Sequence, residues 1–486
     1  MTKIKERIKI GACAFRDANF WDKLDIIAFL ALCLFMFDCS LFGGGRYVLI
    51  GPLSPRMIFA GVSLVCSLPA IFKNFKKHIL NPANLLVLLF VLYLAVCAVR
   101  GFLAGNNREV FMTDIKGFMW LFLVPLMIAV LKTKERFKTV MDFLIAGAFL
   151  QSCMIIVINL VSSVVEDGIF IFYAPILRMQ IGTVSTISSN LFRVFTRSAP
   201  YIALMCGVAI FRQLKERRLV PFYIIALTIG LNALLLSFTR SIYGCVFVVI
   251  GCCCFVTVLL MREHLKKLLA VALATVVFSL GFVAVQEFLL GGSYLNFALS
   301  RTLGITPRQS AVVTLRNDLI DKLTFDEDFG SLDEDSDKPQ KPSKHETEKE
   351  LAEQNFYIGI TAESDEIRQQ TKKELGEIIA KNPIFGSGLG AAAPCRNGPD
   401  EYFYLDMLAR TGVVGLVLYL LPFGYALLCA NKKRKQLSSF FDGCAVLCGT
   451  MGFWAITWFN PWMNAVLGIA CYALCLTLPT LLKTEE

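Results

Sequence analysis

Residues 239–262 read TRSIYGCVFVVIGCCCFVTVLLMR, an apolar run bounded by Arg240 and Arg262 with no charge between them. A helix of about 20 such residues, rising 1.5 Å each, crosses roughly 30 Å of hydrocarbon. Cys252, Cys253 and Cys254 stand beside Val and Phe and read as small apolar packing residues. The chain's 17 cysteines and 3 histidines lack both the polar-loop pairing of a disulfide framework and the CxxC spacing of a structural zinc, so neither is expected.

Runs like this one recur along nearly all 486 residues. The composition is 56% hydrophobic and 18% charged, where a soluble domain carries about 25% charge. Mean hydropathy is +0.61. This excludes a cytosolic globular enzyme and predicts one all-α polytopic membrane protein. Breaks at charge, Pro and Gly give twelve spans: 24–43, 57–72, 84–104, 117–131, 139–165, 199–212, 220–238, 242–261, 268–290, 402–430, 438–458 and 463–482. Residues 1–290 thus hold nine spans and 402–486 three, with one large extracytoplasmic loop, containing short helices, at 291–401.

An even number of spans puts both termini on one side. The segments that contain the termini, together with Lys73, Lys76, Lys132, Arg136, Arg262 and Lys432–Lys435, are basic and mostly lysine, which marks that side as cytoplasmic. The first apolar run lacks an A-x-A-like site, so no cleavable signal peptide is expected. The formal charge of +10 is mostly this orientation signal and no footprint for nucleic acid, because the bases sit in short turns. In the opposite short loops, eight of nine bases are arginine: Arg46, Arg56, Arg100, Arg108, Arg178, Arg193, Arg197 and Arg240, with Lys116 the exception. Single arginines at span ends can snorkel or bond to backbone. As a set they favour an anionic ligand, since a guanidinium grips phosphate with a planar fork and stays protonated when partly dehydrated.

The large loop has three parts. Residues 301–322 carry Arg301, Arg308 and Arg316, with room for a short helix. An acidic insert at 323–362 buries too little apolar surface to order itself and is expected to be disordered; it lacks EF-hand spacing. Residues 365–381, DEIRQQTKKELGEIIAK, place Ile367, Leu375, Ile378 and Ile379 on one helical stripe. NPIFGSGLG (382–390) then reads as a helix stop and tight turn, and DEYFYLDMLARTGVVGLVLYLL (400–421) leads straight into span ten. Asp400, Glu401 and Asp406 should therefore lie at the outer membrane surface.

Taken together, Arg368, the turn Pro383-x-x-Gly386-x-Gly388, Glu401 to Leu405, the pair Gly412 and Gly415, and the Thr239-Arg240-Ser241 element resemble the O-antigen ligase and polymerase family of bacterial integral-membrane glycosyltransferases. The resemblance implies transfer of an undecaprenyl-pyrophosphate-linked glycan to a glycan or lipid acceptor hydroxyl. The reaction would occur at the outer face of the cytoplasmic (inner) membrane, among membrane lipids, with no metal or other cofactor. A chain-length regulator or flippase would be the partner protein. Arg240 and Arg368, which the resemblance matches, are the candidates to stabilise the leaving pyrophosphate; the outer-face arginines Arg193 and Arg197 are further candidate clamps, and Arg316 a further candidate for substrate binding. Glu401, or its neighbour Asp400, takes the acceptor proton. Tyr402 and Tyr404 stack on sugar faces or form an interfacial belt. Many ligases of the family carry His-Asn where this chain has Glu401-Tyr402, and His78, His264 and His345 are placed elsewhere, which favours a polymerase. A lipid-linked sugar transporter and a membrane scaffold are the rival classes.

Overall fold

The computed structural model describes residues 18–43, 53–165, 179–188, 191–290, 366–395 and 402–483, with a few single positions besides. Its long helices are α1 (Phe20–Phe42), α2 (Pro55–Lys73), α3 (Pro82–Leu103), α4 (Arg108–Val130, with a 3-10 turn at Met119–Phe122), α5 (Lys134–Val164), α6 (Ala199–Lys215), α7 (Pro221–Leu235), α8 (Arg240–Leu260) and α9 (Leu265–Leu290). After α10 (366–381) come α11 (Phe403–Lys432), α12 (Phe441–Ile456) and α13 (Val466–Leu481). A helix lies within each of the twelve expected runs, and the expected outer helix is α10.

Local signals set the ends. Asn19 caps α1 by accepting from the Asp22 N–H at 2.9 Å, and Gly43 closes it at φ 59°, the left-handed region glycine reaches most cheaply. Pro55, Pro82 and Pro221 occupy first helical positions, where a missing N–H costs nothing. Among the described residues eight helices, α1–α5, α8, α9 and α11, are long and apolar enough to cross a membrane, which makes this a helical membrane protein. On α9, Leu269 (71% exposed), Leu273 and Phe278 present an apolar face that water would not tolerate. Within the remaining expected runs, α6, α7, α12 and α13 are only 15–17 residues long. Of these, α6 and α13 are buried along almost their whole length, as expected of helices apolar all round, whereas α7 keeps Phe222 and Ile225 about half exposed.

α1 packs on α2 and α5; α6 packs on α7, α8 and α12; α11 packs on α3 and α13. At one end of the bundle Asp25 pairs with Lys132 at 2.7 Å and Arg136 at 2.5 Å, and Arg212 joins Asp442 at 2.7 Å and Asp142. The opposite end holds the arginine-bearing turns.

One element departs from the all-α expectation. Residues 182–196, between the expected spans 139–165 and 199–212, form an antiparallel hairpin, β1 (Gly182–Ser188) with β2 (Leu191–Thr196). The sequence of β2, LFRVFT, alternates, so Phe192, Val194 and Thr196 are buried while Arg193 and Phe195 take the other face. Hairpin backbone is tolerated inside a bundle only where protein satisfies it. Here the Val194 N–H donates to the Leu236 carbonyl at 3.0 Å, and Asn159 Nδ2 donates to the Phe192 carbonyl at 3.0 Å. Asn159 in turn accepts from Gln286 at 3.0 Å. The acidic insert at 323–362 lies outside the described residues.

Candidate active site at the arginine-bearing end

α11 is broken near its start. Gly412 sits at φ 68°, ψ −173°, so the helix cannot continue through it and backbone groups on both sides lose their helical partners. The turn at 383–390 replaces them. Val413 and Val414 donate to the carbonyls of Pro383 (3.0 Å) and Ile384 (3.1 Å), and the N–H groups of Ser387 and Gly388 donate to Ala409 (2.7 Å) and Arg410 (3.0 Å). The contact is backbone against backbone. A Cβ at Gly386 would meet the Arg410 carbonyl at 2.5 Å, and one at Gly412 would meet the Ile384 carbonyl oxygen at 2.2 Å. That explains the glycines of both motifs.

Side chains from α3 and α4 hold the turn from its other side. Arg100 donates to the carbonyls of Phe385 and Gly386, each at 2.8 Å. Asn106 Nδ2 reaches the Ser387 carbonyl at 3.1 Å and that of Leu389 at 2.9 Å. Beneath lies a buried ion pair, Arg410 Nη1 to Asp114 at 2.8 Å, with Asp406 at 3.8 Å; Arg410 is 2% exposed and Asp114 0%. The second oxygen of Asp114 accepts the Gly390 N–H at 3.0 Å, and Arg410 Nε donates to the Ala391 carbonyl at 3.1 Å. Arg100 is therefore a structural clamp. The sequence reading missed Asp114 and Arg410 as a pair. The available signal was charge inside an apolar run: span ten contains Asp406 and Arg410, and such residues are costly unless partnered.

The same end gathers the Thr239-Arg240-Ser241 element. Arg240 is the first residue of α8 and is exposed. β2 delivers Arg193 to it: Arg193 Nε donates to the Ser237 carbonyl at 3.2 Å, Nη2 to Thr239 Oγ1 at 3.3 Å, and the guanidinium lies 5.7 Å from the Phe195 ring. Between them Phe238, fully buried, holds φ 43°, a left-handed conformation that a bulky residue adopts only under constraint from its surroundings. Ser241 Oγ accepts from Asn460 of the α12–α13 connection at 3.2 Å. Arg197, in the turn after β2, is instead a neighbour of Arg56; burial, and then the Arg56 charge, hold its guanidinium below the usual arginine range.

On α10, Arg368 is exposed one turn before Lys372, whose ammonium lies 5.1 Å from the ring of Tyr402. Helical spacing thus directs Arg368 toward the entry of α11. Leu375 is buried against Ala393 and Ala409, with Ile378 and Ile379 packed on them, as the stripe requires. Ile367, expected on that stripe, is 44% exposed; Thr371 is the buried residue, bonding Ile367's carbonyl at 2.8 Å. Tyr402 is buried, and Tyr404 donates to the Trp454 carbonyl at 2.8 Å within an aromatic cluster. Tyr402 is thus packed away, and Tyr404 is half-buried with its hydroxyl engaged. Arg316, Asp400 and Glu401 lie outside the described residues.

The end of the bundle thus combines fixed guanidinium groups, a rigid backbone turn and the mouth of α11. Such an arrangement can bind an oxyanion and stabilise charge that develops on it. Among the described residues no group of three His, Cys, Asp or Glu side chains is placed to hold a metal. A cleft of about 360 Å³ lies at the opposite end, between α1, α2 and Lys132, remote from these arginines. No family model matches the chain, and no curated protein matches it.

Proposed function

We propose that the chain is a multi-pass membrane glycosyltransferase that moves a glycan from a polyprenyl-pyrophosphate carrier to an acceptor hydroxyl, acting as a polymerase of the O-antigen type. In this reading all twelve apolar helices cross the cytoplasmic membrane, both termini are cytoplasmic, and α10 with the rest of loop 291–401 faces outward. One observation carries it: β2 brings Arg193 onto Thr239, beside Arg240, so that cations distant in sequence meet at the expected outer end of the bundle.

The chemistry suits that placement. As the anomeric C–O bond breaks, the pyrophosphate oxygen takes the electron pair, and positioned guanidinium groups in a partly dry site stabilise it. The acceptor hydroxyl attacks the anomeric carbon and gives its proton to a carboxylate within hydrogen-bond reach. Glu401 is assigned that role, with Asp400 beside it, just before the entry of α11. Arg240 and Arg368 bind the leaving group, and Arg193 orients it.

The break in α11 favours a second reading, since transporters build substrate sites from discontinuous helices. Yet the backbone groups on either side of Gly412 bond to the 383–390 turn, which makes the break a docking seam rather than an open ion site. Purified protein in vesicles, supplied with lipid-linked repeat units, separates the two. New glycosidic bonds support the transferase, and movement without bond formation supports the carrier. Arg240→Ala, Arg368→Ala and Glu401→Gln should each remove glycan extension at matched protein levels; wild-type polymer length in all three would sink the mechanism.

A further inference from the structure

The cleft at the end opposite the arginine-bearing turns takes no part in the chemistry above. It lies where α1 begins and α2 ends, and its volume of about 360 Å³ is that of a small-ligand site. Cys66, Pro69 and Ala70 line it toward the apolar part of α2, and Leu24 toward that of α1. Charge of both signs sits at the helix ends. Asp22, in the first turn of α1, and Lys73, the last residue of α2, line the same cleft, yet neither has an ion-pair partner among the described residues. Lys132 gives one N–H to Asp25 at 2.7 Å and keeps its other ammonium donors for a ligand. Beside the cleft the surface is apolar and open: Trp21 is 62% exposed, Val65 65% and Phe72 67%. Val65 and Phe72 are two turns apart on α2, on the face next to Cys66, Pro69 and Lys73.

Unpaired charges of opposite sign over an apolar wall match an amphiphile with a zwitterionic head, and both helices are long and apolar enough to span the bilayer that supplies one. We propose that the cleft holds one molecule of phosphatidylethanolamine. Lys73 and Lys132 take the phosphodiester oxygens, Asp22 accepts from the ammonium, and an acyl chain follows Val65 and Phe72 along α2. Trp21 sits beside the head, at the level where an amphipathic ring is favoured. The charge pattern selects among lipids. Phosphatidylglycerol answers the lysines but brings no cation to the Asp22 carboxylate. Phosphatidylcholine brings a cation whose quaternary nitrogen has no N–H to donate. The inference needs only a helical membrane protein and stands apart from the transferase reading.

The test is native mass spectrometry of the full-length protein, stripped of lipid in detergent and given dioleoyl phosphatidylethanolamine, phosphatidylcholine and phosphatidylglycerol at equal concentration. Wild type should hold one phosphatidylethanolamine about tenfold more tightly than either other lipid, the worth of one hydrogen bond between charged groups. Asp22→Asn should lower phosphatidylethanolamine to the level of phosphatidylcholine without weakening phosphatidylglycerol. Lys73→Gln should weaken all three, because phosphate is common to them. Both side chains are exposed, so gel-filtration profiles should match wild type. Glycerophosphoethanolamine, the same head without acyl chains, should fail to displace the lipid. A preference for phosphatidylethanolamine that survives Asp22→Asn overturns the proposal, as does equal retention of the three lipids by wild type or tighter binding of phosphatidylglycerol. Displacement by glycerophosphoethanolamine at equal concentration overturns it too, since the cleft would then serve a soluble ligand.

Discussion

Asp114→Ala is the sharpest test of the architecture at the arginine-bearing end. The carboxylate has two duties: one oxygen pairs with Arg410 at 2.8 Å and the other accepts the Gly390 N–H at 3.0 Å. Its removal leaves a guanidinium that is only 2% exposed with Asp406 at 3.8 Å as its nearest described carboxylate. Breaking a buried pair from one side costs about 3–5 kcal/mol. The loss should be local, since the 383–390 turn is held by the same residues. At about 1.4 kcal/mol per factor of ten, hydrogen exchange at the amides of Ser387, Gly388, Val413 and Val414 should accelerate by roughly two to three and a half orders of magnitude. Amides in the middle of α6 and α13 should keep their protection. Asp114→Asn, which retains an acceptor for Gly390, should fall between the two. Unchanged exchange at those four amides in Asp114→Ala would refute the claim that the ion pair holds the turn.

Other perturbations probe separate links. Gly412→Ala should destabilise the seam by about 2–4 kcal/mol, because a side chain is disfavoured at φ 68° and its Cβ would lie 2.2 Å from the Ile384 carbonyl oxygen; proteolytic nicking within 383–390 reads this out. Asn159→Leu should cost about 1–3 kcal/mol by stripping partners from the Phe192 carbonyl and Gln286, and should lower extension rate by misplacing Arg193 while the bundle stays folded by circular dichroism. Glu374 accepts the Cys395 N–H at 2.7 Å, chiefly for which reason its carboxyl titrates below the ordinary 4.5. A depressed carboxyl stabilises above its unfolded value and loses that contribution as pH falls through the folded one. Protection of the Cys395 amide should therefore persist at pH 4.5 in wild type, fade only at more acid pH, and be absent at neutral pH in Glu374→Ala.

Positions of the helices were legible because an apolar run of fixed length has few other fates, and Pro55, Pro82, Asn19 and Gly43 mark ends by local rules alone. Three helices, α7, α12 and α13, are shorter than the runs that announced them, since a helix packed against others need not match the hydrocarbon thickness by itself. The hairpin was not legible. Its alternation, Arg193-Val194-Phe195-Thr196, is brief, and what makes it a strand is Leu236 and Asn159, which are remote in sequence. The glycine turn was read correctly as a turn, but its receptor was not, because Gly412 breaks its helix only in concert with Pro383 and Ile384. Of the arginines, Arg100 proved to be a clamp and Arg193 a neighbour of Arg240; composition treats them alike, and only their acceptors tell them apart.

The seam between α11 and the 383–390 turn also bears on how the protein is made. Asp114 and Arg410 are 296 residues apart, and Arg100 waits for carbonyls 285 and 286 residues downstream. Translation at about 5–20 residues per second leaves α3 and α4 without these partners for on the order of 15–60 s. A nascent chain in that interval holds a half-built arginine-bearing end, with Asp114 waiting for Arg410. Assembly factors would have their opportunity there, and the site would remain silent until the last three helices arrive.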